Sequence, residues 1–197
     1  MPRLFSGIEL PPNIRETLSK MHQPLPSTRW IEPNDLHLTL RFAGDVTPPV
    51  GRELAENLAN IAFEPFSVRI TGLATFGGSD PRLLYAAIEP TVALTDLANA
   101  NEMAARRAGL KPESRKFIPH ITLARMQAPR IDPIARYLSR YGGFTTEPFW
   151  VSQFVLFSSK PTTGGGPYVV EQVCPSTAGN FEDIDWPTDE SDHDHPR

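Results

Sequence analysis

Residues 35–44, "DLHLTLRFAG", alternate as a half-buried strand does. Leu36, Leu38, Leu40 and Phe42 fall on one face, and His37, Thr39 and Arg41 on the other. The apolar face asks for a core. The second face carries an imidazole and a hydroxyl where valine or lysine would serve an ordinary strand. The arrangement returns at residues 118–125, "IPHITLAR", with His120 and Thr122 on one face and Ile121 and Leu123 opposite. With five His and fifteen Thr among 197 residues, roughly 0.4 H-x-T matches are expected by chance. Two copies, each followed by Leu, need a cause.

Around these strands the chain reads as mixed α and β. Strands are expected at 3–10, 37–44, 66–76, 82–90, 120–125, 149–159 and 168–174, with turn-rich links at 77–81 and 160–167. Helices are expected at 11–22, 48–63, 91–109 and 132–142, from prolines at two starts, apolar stripes such as Val50, Leu54, Leu58 and Ile61, and a stop at Gly109. Paired strands mixed with helices favour an α+β fold with antiparallel sheets over a doubly wound parallel one. Each half offers helices, one H-x-T-L strand and paired strands in permuted order. That predicts a pseudo-twofold internal repeat of two lobes, with both motifs lining a shared cleft.

Composition bounds the rest. A chain of 197 residues with 40% hydrophobic content is long enough for one domain with a sizeable core. No run of eighteen apolar residues is present, so no membrane span is expected, and "MPRLFSGIELPP" is no secretory signal. The single Cys174 excludes an internal disulfide, fits a reducing cytoplasm, and reads as a small buried apolar residue. The net charge of −4 resides in the tail. Residues 176–197 hold seven acidic residues and one basic one, while residues 1–175 carry a net +2. A domain over 1–175 and a disordered acidic tail over 176–197 are therefore expected. The terminal "HDHP" reads as part of that solvated tail.

Paired imidazoles suit in-line phosphoryl chemistry near neutral pH, where one can accept a proton while the other donates one. Threonine hydroxyls can donate to non-bridging phosphate oxygens. A strained cyclic phosphodiester is the natural substrate of so small a set, since only water must be activated. Other chemistries lack their residues: no H-E-x-x-H or C-x-x-C, no G-x-S-x-G, and "TTGGGP" lacks the G-K-[ST] of a phosphate loop.

On these motifs and their flanks ("RLFSGIELPPNIRETL", "RWIEPNDLHLTLRFAGDV", "FGG" at 76–78, "RKFIPHITLAR" and "FVLFSSKPTTGGGPYVVEQV") the chain resembles the two-histidine phosphoesterases. Within them it is similar to the RNA 2′,3′-cyclic phosphodiesterases of the LigT/ThpR type. The resemblance implies a bilobal α+β fold with a V-shaped cleft and metal-independent, cofactor-free opening of a 2′,3′-cyclic phosphate to a 2′-phosphate. It implies His37 as proton donor to the leaving 3′ oxygen and His120 as acceptor from water. It places Arg125 near the phosphate, although strict alternation points that side chain away from His120 and so demands a strand end or a bulge. It lets Phe42 stack a base, against the core packing that alternation suggests. Arg41 is left between phosphate and solvent, and Arg106, Arg107, Lys111, Arg115 and Lys116 between an RNA backbone and a solvated helix end. The expected partner is RNA with a 2′,3′-cyclic phosphate end, or a small cyclic nucleotide, acted on by a monomer. The alternatives are a 2′-5′ RNA ligase, a small cyclic-nucleotide phosphodiesterase and a non-catalytic RNA-end-binding module. Two complete motifs weigh against the last, because binding needs neither imidazole to titrate.

Overall fold

The computed structural model describes residues 1–159 and 166–177. Residues 160–165 of the expected loop at 160–167, and the expected tail from 178 onward, lie outside the described residues. Strands β1 (Arg3–Glu9), β2 (Thr28–Trp30), β3 (His37–Asp45), β4 (Phe66–Val68), β5 (Ile70–Phe76), β6 (Leu83–Ile88), β7 (His120–Met126), β8 (Phe149–Val151), β9 (Gln153–Ser159) and β10 (Tyr168–Pro175) alternate with helices α1 (Pro12–Ser19), α2 (Pro48–Ala59), α3 (Val92–Arg107) and α4 (Ile131–Tyr141). A 3-10 turn, Pro33–Asp35, leads into β3. Past β10, Ser176 N–H still donates to the Ser152 carbonyl at 2.7 Å, and Thr177 N–H to Phe63 at 2.9 Å.

Helix ends follow local chemistry. The Thr91 hydroxyl accepts from Leu94 N–H and caps α3. At its other end Gly109 takes φ +82°, and Leu110 and Gly109 N–H groups return to the Ala105 and Arg106 carbonyls. That is a Schellman stop, for which glycine is the favoured residue. Leu94, Leu97, Ala98, Ala104 and Ala105 form its buried stripe. Two long expected strands each divide. Residues 66–76 break at Arg69 and residues 149–159 at Ser152, so the outer pieces β4 and β8 pair as a separate two-stranded sheet. β2 escaped the sequence reading because three residues are too few to show a period of two.

The main sheet runs β10-β9-β1-β3-β7-β6-β5, every neighbouring pair antiparallel, with β2 also on β7. Its two halves meet at one residue pair, Leu38 against Ile121. Since β6 holds one edge of β7, β3 and β2 share the other. Ala124, Arg125 and Met126 pair with β2, and Leu123 accepts from Ile31 N–H at 2.8 Å. The α+β architecture is therefore present, with the two expected sheets hydrogen-bonded into one at that seam.

The seam rests on the core. Leu36, Leu38, Leu40, Ile121 and Leu123 are all buried in the main apolar cluster with residues of all four helices. Burying a leucine contributes roughly 1.5–3 kcal/mol, so the alternate positions are free to carry chemistry. Strand β9 is buried on both faces. Phe154 and Leu156 join the main core, while Val155 and Phe157 form a smaller cluster with Phe5 on the opposite side.

Candidate active site

One step either way from the Leu38–Ile121 pair, the antiparallel register sets His37 beside Thr122 and Thr39 beside His120. The four side chains share the face opposite the core. Each motif then bulges at its leucine. On β3 the register passes from Gly7 against Thr39 to Ser6 against Arg41, leaving Leu40 as the extra residue. On β7 it passes from Tyr85 against Thr122 to Leu84 against Ala124, leaving Leu123 extra. A bulge reverses the alternation beyond it.

Those bulges settle three sequence expectations. Phe42, five past His37, turns to the cleft side, is 46% exposed and lines the cavity; it is not core, as plain alternation suggested. Arg125, five past His120, is brought to the cleft by the same device. Arg41 is turned away from it. Its guanidinium pairs with Glu102 of α3 and donates to the Lys111 carbonyl at 2.7 Å, so neither phosphate nor open solvent is its partner. Of the other basic residues, Arg115 is held by Glu113 at 3.0 Å, and Arg106, Arg107, Lys111 and Lys116 are exposed away from the cavity.

The two imidazoles are held alike. His37 Nδ1 lies 2.7 Å from the Asp35 carbonyl and His120 Nδ1 lies 2.7 Å from the Ile118 carbonyl. A carbonyl only accepts, so both Nδ1 atoms carry the proton and each Nε2 is left for chemistry. Aromatic rings fix the planes. Phe5, Phe157 and Tyr168 surround His37 at centroid distances of 4.8, 5.4 and 5.0 Å. Phe76 and Tyr85, stacked on each other at 4.0 Å, present their faces or edges to His120 at 5.0 and 5.5 Å.

The surroundings differ in charge. Burial pushes the His37 imidazole down to about 4; the Asp35 carbonyl and carboxylate oppose this, while His120 and Arg125 add to it. The Asp35 carboxylate also accepts from Tyr168 N–H at 3.0 Å, tying the start of β10 to the turn that carries His37. An isoleucine stands at the matching place before His120. Asp35 and the aromatic rings were missed from sequence. The signal for Asp35 was its place two residues ahead of the first histidine.

The cleft encloses about 260 Å³ between Arg3, Phe5, Ile31, His37, Thr39, Phe42, Thr122, Arg125, Ser159 and Tyr168. No carboxylate of the described residues lines it. Hydroxyls, two guanidinium groups and the His37 imidazole around so small a volume suit an anionic ester group. Among the described residues no three His, Cys, Asp or Glu side chains gather as metal ligands would, and no helix is long and apolar enough to cross a membrane.

Such a site on such a sheet is that of a phosphoesterase. The family model of LigT-like phosphoesterases matches residues 8–85 and 88–168, one H-x-T-L motif in each stretch, and the chain belongs to that family. An RNA 2′,3′-cyclic phosphodiesterase of Aeropyrum pernix is 31% identical over 158 residues, covering 79% of this chain and 88% of that one. One from Methanothermobacter thermautotrophicus is 29% identical, covering 87% and 97%. The crystal structure of Escherichia coli LigT complexed with 3′-AMP superimposes with a TM-score of 0.73 at 29% identity, covering 90% of this chain and 99% of that one.

Proposed function

We propose that this chain hydrolyses RNA 2′,3′-cyclic phosphate ends to 2′-phosphates without a metal, with His37 and His120 as acid and base. The observation that carries the reading is the Leu38–Ile121 pair, which sets both His–Thr pairs side by side with each Nε2 unclaimed among the described residues. The family and the curated relatives support it. In the step itself, His120 Nε2 takes a proton from water as the oxygen attacks phosphorus. The bond to O3′ breaks, and His37 Nε2–H protonates the departing oxygen. Thr39, Thr122 and Arg125 hold the non-bridging oxygens. Phe42, exposed at the cleft rim, offers a face to the terminal base.

The acid role asks His37 to carry a second proton. Burial disfavours that in the free protein. The substrate's own negative charge favours it, so proton uptake accompanies binding. Asp35 is the carboxylate on His37's side and favours its imidazolium, the charge that burial opposes. Asp35→Asn keeps an acceptor for Tyr168 N–H and removes only the charge. Without that charge the imidazolium is less stable, so the limb of the pH–rate profile set by His37 should move to lower pH, with lower turnover at pH 7. An unchanged profile would remove Asp35 from the chemistry.

The decisive assay is incubation with an oligoribonucleotide ending in a 2′,3′-cyclic phosphate, in excess EDTA, followed by identification of the product isomer. Full turnover to the 2′-phosphate is expected. Loss of activity restored by a divalent ion, or a 3′-phosphate product, would defeat the mechanism.

A further inference from the structure

The glycine-rich run "TTGGGP" at residues 162–167 is no phosphate loop, yet its last glycine meets the turn that carries His37. Gly166 is buried, at φ +72°, with its backbone against the Asp35 carboxylate. Resting on the reaction proposed above, we infer that Gly166 is a positioning residue for the acid. By carrying no side chain it holds the Asp35 carboxylate where that group stabilises the His37 imidazolium.

The contact has no room for another residue. A Cβ built on Gly166 would overlap Asp35 Oδ2 and stand 2.5 Å from Cγ and 3.1 Å from Oδ1, so one partner would have to move. The positive φ adds a strain that glycine escapes. Asp35 itself is tied on three sides by backbone. Its N–H donates to the Glu32 carbonyl at 2.8 Å, its carbonyl accepts from His37 Nδ1 at 2.7 Å, and Oδ1 accepts from Tyr168 N–H at 3.0 Å. A push at Oδ2 therefore either breaks the Tyr168 bond or turns the residue whose carbonyl orients the imidazole.

Charge gives that placement its consequence. The titratable groups facing His37 are Asp35 on its own turn, His120 and Arg125 on β7, and Tyr168 on β10. From β1 and β9 the rings of Phe5 and Phe157 face it, and Glu9, opposite His37 in the β1 register, is exposed. Among these described groups Asp35 is the anion that favours the imidazolium, while His120 and Arg125 oppose it. Where not even a methyl group fits, water does not fit either, so the Gly166 side of the carboxylate is unscreened. Its attraction for a cation is then stronger than in open solvent, and falls as the carboxylate is moved away. The same short segment also brings the Tyr168 ring edge-on to the imidazole at 5.0 Å. Residues 166–168 thus set both the ring and the charge beside the proposed acid.

The test is a cycle of the parent, Gly166→Ala, Asp35→Ala and the double variant, assayed on a 2′,3′-cyclic mononucleotide across pH with melting followed alongside. Gly166→Ala should lower kcat by about 10–10²-fold, since a misplacement of about 1 Å can cost that much. KM should change little, because Gly166 is not among the described residues lining the cavity. The His37 limb of the pH–rate profile should move to lower pH. Once Asp35→Ala has removed the carboxylate there is nothing to displace, so adding Gly166→Ala should lower kcat no further. The strain at φ +72° should lower the melting temperature in both backgrounds. Equal kcat losses in both backgrounds, an unmoved limb, or a folded Gly166→Ala protein with the parent's rate would overturn the inference. Should Gly166→Ala not fold, Asp35→Glu approaches the contact from the other side. It keeps the charge, but its longer side chain does not fit against Gly166, so the limb should again move down; a parent-like profile would overturn the inference. Should the parent turn over no cyclic phosphate, the reaction proposed above fails on its own. NMR titration of the His37 imidazole then still decides about Gly166: a lower midpoint in Gly166→Ala or Asp35→Glu supports the contact, and an unchanged one overturns it.

Discussion

His37→Ala and His120→Ala should each lower turnover of a 2′,3′-cyclic phosphate by about 10²–10⁴-fold, the usual yield of a positioned proton-transfer group. The double variant should lose less than the product of the two, since acid and base act in one transition state. Both histidines lie on the face away from the main core, so the folds should survive. His37 is nevertheless ringed by Phe5, Phe157 and Tyr168. His37→Asn, which keeps most of the volume, therefore belongs beside His37→Ala and should lose as much activity with less effect on melting. Turnover against pH in the parent should be bell-shaped, its limbs belonging to the coupled pair. A folded His37 or His120 variant working at the parent rate would make the motif structural.

How much of this was legible in the sequence depended on whether a feature is periodic. The two H-x-T-L strands, the four helices and the mixed antiparallel class follow from alternation, apolar stripes and stop residues, all of which are written locally. So did the opposition of His/Thr and Leu/Ile faces. The failures came where one residue changes the phase. Leu40 and Leu123 look like ordinary core positions, and nothing in their identity announces a bulge. Yet each bulge sends Phe42 or Arg125 into the cleft, and the first turns Arg41 toward Glu102. Arg125 was recoverable because its expected function conflicted with strict alternation, which demanded a bulge or strand end. Arg41 offered no such conflict. The break at Arg69 was hidden for another reason: burial at Val68 and Ile70 continues the same alternation across the break, while the pairing partner changes. Side-chain rings around the histidines come from β1, β5, β6, β9 and β10, so only the assembled sheet brings them together.

Arg125→Ala should lower kcat on a cyclic mononucleotide by about 10²–10³-fold, the loss that follows removal of one preorganised donor to a developing oxyanion. The guanidinium reaches the cleft because the Leu123 bulge turns it there, into the cavity that Thr122 and His37 also line. No carboxylate of the described residues lines that cavity to neutralise it. Arg125→Lys keeps the charge and loses the planar fork, so it should recover only part of the rate. A second consequence separates this role from general electrostatics. Arg125 is one of the groups that push the His37 imidazole down. Its removal should therefore move the His37 limb of the pH–rate profile upward, opposite to the shift expected for Asp35→Asn. Inhibition by inorganic phosphate should weaken in parallel, since the same guanidinium would hold the product-like anion. A folded Arg125→Ala protein with the parent's turnover, pH profile and phosphate inhibition would place the residue on the surface, and leave the bulge at Leu123 without a chemical reason.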